Sequence, residues 1–291
     1  MRVHIAEACG FCYGVRRAVE LASTAEKGTH TLGPIIHNPQ LVNSLSARGV
    51  SPVDSLQDVA DGSKVLIRSH GVGPHVYEEA EAKHLDVVDA TCPHVKKAQQ
   101  DARKVINDKK ALIIVGEKDH PEVISISQWG CNRAIIIDKV EEAKEIPYCE
   151  HMGVVVQTTF SQSRFKQIES VLAEKTDDLD VYMTICTATR QRQEAAVELA
   201  KKVDAMIVIG GKNSANTGRL AQVCAEQGCP TYHVETASEL NVADFRGMSD
   251  IGVTAGASTP DWIIQEVVKM MEDLQAEGTE VMSEELLDQY D

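Results

Sequence analysis

Cysteine recurs in three turns of this chain, GFCYG, ATCPH and ICTAT, as Cys12, Cys92 and Cys186. The intervals of 80 and 94 residues suggest three α/β units of similar size, each presenting one cysteine beyond a strand end. Each cysteine precedes a helical pattern, whose N-terminal amides and dipole favour a thiolate. Three thiolates are one ligand short of a closed structural site, and they leave a coordination position open as catalytic metal centres do. The soft donor set suits zinc or an iron–sulfur cluster, and the residues alone do not choose between them. A competing chemistry lies in CGFC (residues 9–12), which at a strand-to-helix turn has the form of a dithiol redox pair.

The other turns carry polar groups of a narrow kind. His37 and Asn38 follow GPII, His70 follows VLIR, Ser214 and Asn216 follow MIVIG, and Ser258 follows GVT. Singly, such residues are commonly caps, turn formers or packing groups. Together they are neutral or protonatable donors among glycine amides at helix starts, a set that can hold a phosphate or diphosphate. There is no GxxxxGK[ST] loop and no well-placed GxGxxG, so a nucleotide is not indicated. In EKDHPEV, His120 and Glu122 stand two apart with Pro121 fixing the backbone between them. A carboxyl in a closed apolar site has a raised pKa and can deliver a proton. Thr158 and Thr159, after GVVVQ, could orient such a relay, although β-branched residues also simply favour strand ends.

These turns need strands and helices to aim them. Unalternated apolar runs lie in residues 64–73, 86–93, 111–122, 153–161, 181–189, 204–218 and 250–261, as expected of strands buried on both faces of parallel sheets. Helical patterns lie between them: Val15–Lys27, Pro74–Lys83, Val95–Asp108, Ser161–Lys175, Arg190–Lys202, Gly218–Gln227 and Asp261–Leu274. The alternation predicts an α/β fold with right-handed crossovers, whose ligands gather beyond the carboxyl ends of the strands.

Composition narrows the function classes. A net charge of −15 and 4% aromatic residues argue against a nucleic-acid surface, so an anionic ligand must be held by directed hydrogen bonds. No apolar run approaches the ~20 residues needed to span a bilayer. MRVHIAEACG has no apolar signal core and is read as a first strand, which with eight cysteines and no secretion signal predicts a cytoplasmic protein with thiols rather than disulfides.

With these turns assembled, the sequence closely resembles the LytB-type 4-hydroxy-3-methylbut-2-enyl diphosphate reductases. The stretches that carry the resemblance are GFCYGVRRAVE, IIHNPQLVNSL, SHGVG, DATCPHVKK, DHPEV, QTTFS, ICTATRQRQEA, GGKNSANTGRL and GVTAGASTPDW, in the family's order from residue 10 to about residue 270. The resemblance implies three similar α/β domains in a pseudo-threefold trefoil around a central cluster and substrate cavity. Their expected bounds are 13–92, 93–182 and 183–278 plus 1–12, followed by an acidic tail over 279–291. It implies an oxidoreductase of the non-mevalonate isoprene pathway, reducing its substrate to isopentenyl and dimethylallyl diphosphate. A 4Fe–4S cluster would be held by Cys12, Cys92 and Cys186, its fourth iron open to the substrate hydroxyl. Glu122 would deliver protons, with His120 and Thr158 in the relay and on the substrate. The diphosphate would be held by His37, His70, Ser214, Asn216 and Ser258. Electrons would come from an external ferredoxin or flavodoxin, with no nucleic acid and no membrane involved.

Two positions depart from the family pattern. Ala215 stands where many relatives carry a second serine, and Cys9 where relatives often lack a cysteine. Two other readings explain part of the sequence: a dithiol oxidoreductase using Cys9 and Cys12, and a non-catalytic sensor of redox state or iron using the three separate thiolates.

Overall fold

Residues 65–67, 112–115, 154–156, 205–209 and 251–255 are almost wholly buried, as unalternated aliphatic runs require of strands covered on both faces. The computed structural model describes residues 1–287, and the side chains of residues 1–274. In chain order it begins with β1 (Arg2–Ile5), α1 (Tyr13–Ser23), β2 (His30–Leu32), α2 (Pro39–Ala47) and β3 (Ser51–Val53). There follow β4 (Lys64–Ile67), α3 (Pro74–Ala82), β5 (Asp86–Asp89), α4 (Pro93–Asn107), β6 (Ala111–Val115), α5 (Pro121–Trp129), β7 (Ile135–Ile137) and α6 (Val140–Glu145). The rest comprises β8 (His151–Val156), α7 (Gln162–Ala173), β9 (Asp178–Tyr182), α8 (Thr187–Ala200), β10 (Ala205–Ile209), α9 (Ala215–Ala225), β11 (Thr231–Val234), β12 (Asp250–Ala255) and α10 (Asp261–Leu287).

The strands form three four-stranded sheets, ordered β3-β2-β4-β5, β7-β6-β8-β9 and β11-β10-β12-β1. All described pairings are parallel. The three orders are one pattern repeated: a second strand outside the first, then the third and the fourth. In the last sheet the fourth strand is β1, pairing Arg2 with Asp250 and Ile5 with Val253, so the start of the chain completes a sheet built from its far end. The chain divides into two compact units: Met1–Cys12 with residues from Ala188 onward, which holds that sheet, and Tyr13–Thr187, which holds the other two.

Side chains alternate across each central strand and so fix which helix covers which face. In the β6–β8 sheet, Ile113, Val115, Val154 and Val156 pack with Phe165, Ile168 and Leu172 of α7. Leu112, Ile114 and Val155 point the other way, against Ala98, Ala102 and Val105 of α4 and Val123 and Ile126 of α5. Each such buried aliphatic contributes about 1.5–3 kcal/mol. In the last sheet Ile207, Ile209, Ile251 and Val253 face Ile263, Ile264, Val267 and Met271 of α10, while Met206 and Val208 face α8 and α9.

Three helices have no counterpart in the sequence patterns. α6 is too short to show a period. α2 and α5 are only nine residues long, and α5 buries Glu122, Val123, Ser125, Ile126 and Ser127, too much of its circumference to look amphipathic. Pro121 is therefore more than a stiffener, because it opens α5 at the position where a missing N–H costs nothing. α10 outruns its pattern, so the segment expected as a tail from residue 279 is helical through Leu287, and residues 288–291 lie outside the described part. Among the described residues no helix is long and apolar enough to cross a membrane.

Candidate active site

In each sheet the first strand ends at a turn whose polar side chain caps the next helix. After β2, Asn38 Oδ1 accepts the Leu41 N–H at 2.8 Å, beside His37. After β6, His120 Nδ1 accepts the Glu122 N–H at 3.2 Å, and after β10, Ser214 Oγ accepts the Thr217 N–H at 3.3 Å. The third strands, β4, β8 and β12, run into turns bearing His70, Thr158 and Ser258. The fourth strands, β5, β9 and β1, lead to Cys92, Cys186 and Cys12. Each cysteine amide donates to the turn of the third strand beside it: Cys92 N–H to Ser69 O at 3.0 Å, Cys186 N–H to Thr158 O at 3.0 Å, and Cys12 N–H to Ala257 O at 3.3 Å. The sequence-derived residues thus fall at the carboxyl ends of parallel strands or in the helix turn that follows, where such sheets receive ligands.

Within Tyr13–Thr187, Glu122 is only 2% exposed, and both its oxygens are engaged by one residue. Thr158 donates its backbone N–H to one oxygen at 2.6 Å and its hydroxyl to the other at 2.9 Å. Burial nonetheless pushes the carboxyl up to about 7, outweighing those two hydrogen bonds, which favour the anion. A buried acid poised near neutrality can release and regain a proton. His120 is driven the other way, to about 4, first by burial and then by the nearby His37 and Arg68. It is therefore neutral at pH 7. Because Nδ1 accepts the Glu122 amide, its ring proton sits on Nε2.

Three histidines from three turns meet. The His37 and His70 ring centroids are 4.2 Å apart, and His120 lies 5.3 Å from His37 and 5.5 Å from His70. Burial lowers the pKa of His37 and of His70, and buried Nδ1 of His70 has no hydrogen-bond partner among the described residues. One nitrogen from each ring can be chosen so that all lie within 4.8 Å, which resembles a three-imidazole zinc site. Arg68 tells against a cation there. Its charge is felt by all three rings, it makes no ion pair among the described residues, and burial pulls its own pKa down. Three neutral imidazoles beside an uncompensated guanidinium suit an anion. Arg68 is the functional candidate that the sequence reading passes over; its one signal was an arginine closing the apolar strand run VLIR.

In the other unit, Ser214, Asn216 and Ser258 are buried at the first turns after β10 and β12. Asn216 has neither Nδ2 nor Oδ1 satisfied among the described residues, a costly arrangement unless a ligand supplies the partners. Lys212, the cation of GGKNSAN, is turned away into an ion pair with Glu239. Ala215 occupies the first position of α9, between Ser214 and Asn216.

The cysteines separate by environment. Cys12, Cys92 and Cys186 are all partly exposed at turns. A Cβ at position 14 would lie 2.4 Å from the Cys92 Sγ, so only glycine in the first turn of α1 lets that helix pack this closely on the thiol. Three soft donors, each partly exposed in a helix-start turn, fit an iron–sulfur group. Cys9 instead packs against the core beneath α10, and burial pushes its thiol up to about 11. It is a poor thiolate, which tells against the dithiol reading. Cys224 and Cys229 are buried packing groups.

Comparison with known proteins extends the match beyond these turns. The family model described as LytB protein matches residues 3–272. A 4-hydroxy-3-methylbut-2-enyl diphosphate reductase of Pelobacter propionicus is 47% identical over 92% of this chain and 96% of its own length. One from Thermoanaerobacter sp. is 44% identical over 95% of this chain and 99% of its own. The solved structure of E-1-hydroxy-2-methyl-but-2-enyl-4-diphosphate reductase from Plasmodium falciparum is similar with a TM-score of 0.88 at 27% identity, covering 92% of this chain and 87% of that one. A solved (E)-4-hydroxy-3-methyl-but-2-enyl diphosphate reductase, described as the terminal enzyme of the non-mevalonate pathway, is 43% identical with a TM-score of 0.67 over 94% of this chain and all of that one. The strand-end turns, the buried acid and these matches together place the chain in the LytB protein family.

Proposed function

We propose that the chain is a 4-hydroxy-3-methylbut-2-enyl diphosphate reductase, an oxidoreductase of isoprene biosynthesis. Its reaction takes two electrons and two protons, removes the allylic hydroxyl as water, and yields isopentenyl or dimethylallyl diphosphate. The observation that carries this reading is the Glu122 carboxyl, buried, held by Thr158 and poised near pH 7. A 4Fe–4S cluster on Cys12, Cys92 and Cys186 would supply single electrons and, at an iron with no protein ligand, Lewis acidity toward the substrate oxygen.

The protein's own groups supply binding and protons. Glu122, protonated in a large fraction of molecules at neutral pH, donates the proton that leaves with the hydroxyl. Thr158 holds the carboxyl in place by donating to it, and its hydroxyl oxygen accepts from the substrate hydroxyl. Neutral His120 presents Nε2–H to the substrate oxygen. His37 and His70, with Arg68 behind them, take part of the diphosphate. Ser214, Asn216 and Ser258 take the rest, the phosphate oxygens satisfying the orphaned Asn216 amide. The three sheets correspond to three domains, 13–92, 93–182 and 183–278 plus 1–12. The electron donor is an external ferredoxin or flavodoxin, and a reducing cytoplasm is the compartment that keeps the thiols available.

Glu122→Gln tests the reading. Turnover should fall by about 10²–10⁴-fold, the usual contribution of a general acid, with the cluster spectrum unchanged. Undiminished turnover removes Glu122 as the acid, and a wild type that holds an intact cluster but turns over no substrate favours the sensor reading. An anaerobic preparation should be brown and lose its colour in Cys92→Ser; a colourless wild type with stoichiometric zinc removes the cluster altogether.

A further inference from the structure

Arg192, on α8, is 6% exposed, and it makes no ion pair among the described residues. Its guanidinium donates from Nη2 to Gly10 O at 2.6 Å and from Nη1 to Ala188 O at 3.0 Å, and buried Nε has no partner among the described residues. Two neutral carbonyls do not compensate a buried cation, which is expensive unless a negative charge stands near it. Asp261, whose Oδ1 lies 3.1 Å from where a Gly10 Cβ would stand, is exposed at the start of α10 and forms no ion pair with the guanidinium. The Cys9 thiol does not serve either, since it stays protonated at neutral pH.

The place of the clamp gives the answer. Gly10 has a φ of +77°, and a Cβ there would come within 3.1 Å of Asp261 Oδ1 and Ile264 Cδ1, so the loop turns sharply under α10. Cys12 follows two residues later, at most about 7 Å further along the backbone. Arg192 therefore holds the segment that delivers one of the three thiolates, and it brings an unspent positive charge to it.

We propose that Arg192 is a positioning residue that clamps the Cys12 loop through Gly10 and supplies the cation offsetting the negative charge of the cluster. This rests on the function proposed above. A cluster on three thiolates is anionic and becomes more so on reduction, so a fixed buried cation on the loop that carries one ligand favours the reduced form. It also explains a buried arginine whose hydrogen bonds among the described residues go to two carbonyls.

The test compares wild type, Arg192→Lys and Arg192→Met after anaerobic cluster loading. In Arg192→Met the cluster's midpoint potential should fall and its loss to an iron chelator should quicken by about 10-fold, the lower end of what outer partners of metal ligands contribute. Arg192→Lys should restore the potential while losing cluster faster than wild type, because an ammonium cannot span both carbonyls. The thermal midpoint should drop more in loaded than in cluster-free Arg192→Met, since only the loaded protein loses a counter-charge. Equal potentials in all three proteins, or the same thermal loss with and without cluster, overturn the proposal. If Arg192→Met does not fold, Arg192→Gln, which keeps a donor for Gly10 O, carries the same comparison. A wild type that takes up no cluster refutes the function instead.

Discussion

Glu122 and Thr158, 36 residues apart in the chain, are joined by two hydrogen bonds because β6 and β8 are neighbours in one sheet. One threonine thus engages both oxygens of a carboxyl that burial keeps partly protonated. Thr158→Val removes the hydroxyl at nearly constant volume and leaves the backbone N–H in place. Losing the hydroxyl's bond should push the Glu122 pKa higher still, and lower turnover by about 10-fold while diphosphate affinity stays near wild type. That factor corresponds to about 1.4 kcal/mol, at the upper end of what a typical hydrogen bond contributes. Steady-state kinetics with inorganic pyrophosphate as competitor separates the two effects.

The same carboxyl sets a pH signature. Its folded pKa of about 7 lies above the ordinary 4.5, so between those values the folded state holds the extra proton and stability falls as pH rises. The size is about 3 kcal/mol across the window. His120 works in the opposite sense: depressed from 6.5 to about 4, it lowers stability as pH falls through that range, and His37 and His70 shift in the same direction. Glu122 therefore masks part of the histidines' acid sensitivity between about pH 4.5 and 6.5. Denaturant titrations of Glu122→Gln should show a steeper loss of stability on acidification than wild type. In kinetics, a required acid with this pKa gives rates that fall above about pH 7, a limb absent from the residual activity of Glu122→Gln.

Arg68 should act on binding rather than on the chemical step. Arg68→Met should weaken pyrophosphate and substrate binding by about 10–100-fold, as for a charge-assisted hydrogen bond lost in a partly buried site, with kcat little changed. It should also raise the pKa of His37, His70 and His120, because the same cation helps to hold all three down. NMR titration of the imidazoles reads this directly. Unmoved histidines would show that Arg68 stands apart from the cluster.

Much of this site was legible because its residues sit after long apolar runs, and strands such as ALIIV and AMIVI announce where a turn must come. The edge strands β3 and β7, three residues each, gave no such signal, and their existence follows from pairing with buried neighbours. α5 was illegible for a different reason: a helix buried on most sides has no polar face to set its period. Glu122 could therefore be picked out by type but not placed in a helix turn. Arg68 and Arg192 were passed over because arginine at a strand end or on a helix ordinarily means a solvated charge. Only burial without a counter-ion distinguishes these two, and burial is a property of the fold.

The close packing of Gly14 on Cys92 offers a last check on the cysteine assignments. Gly14→Ala would put a Cβ 2.4 Å from the Cys92 Sγ, well inside contact distance, so the thiol or α1 must shift. Because α1 is short and its start is near the surface, the fold should survive with a modest loss in thermal midpoint, while cluster content falls sharply. Cys9→Ala should do the reverse. It opens a small hole under α10, costing about 1 kcal/mol, and leaves cluster content and turnover intact, because a thiol held up at about 11 contributes packing rather than thiolate. Iron and sulfide analysis beside a melting curve distinguishes the two variants. A Cys9→Ala protein that folds but holds no cluster would return Cys9 to the ligand set.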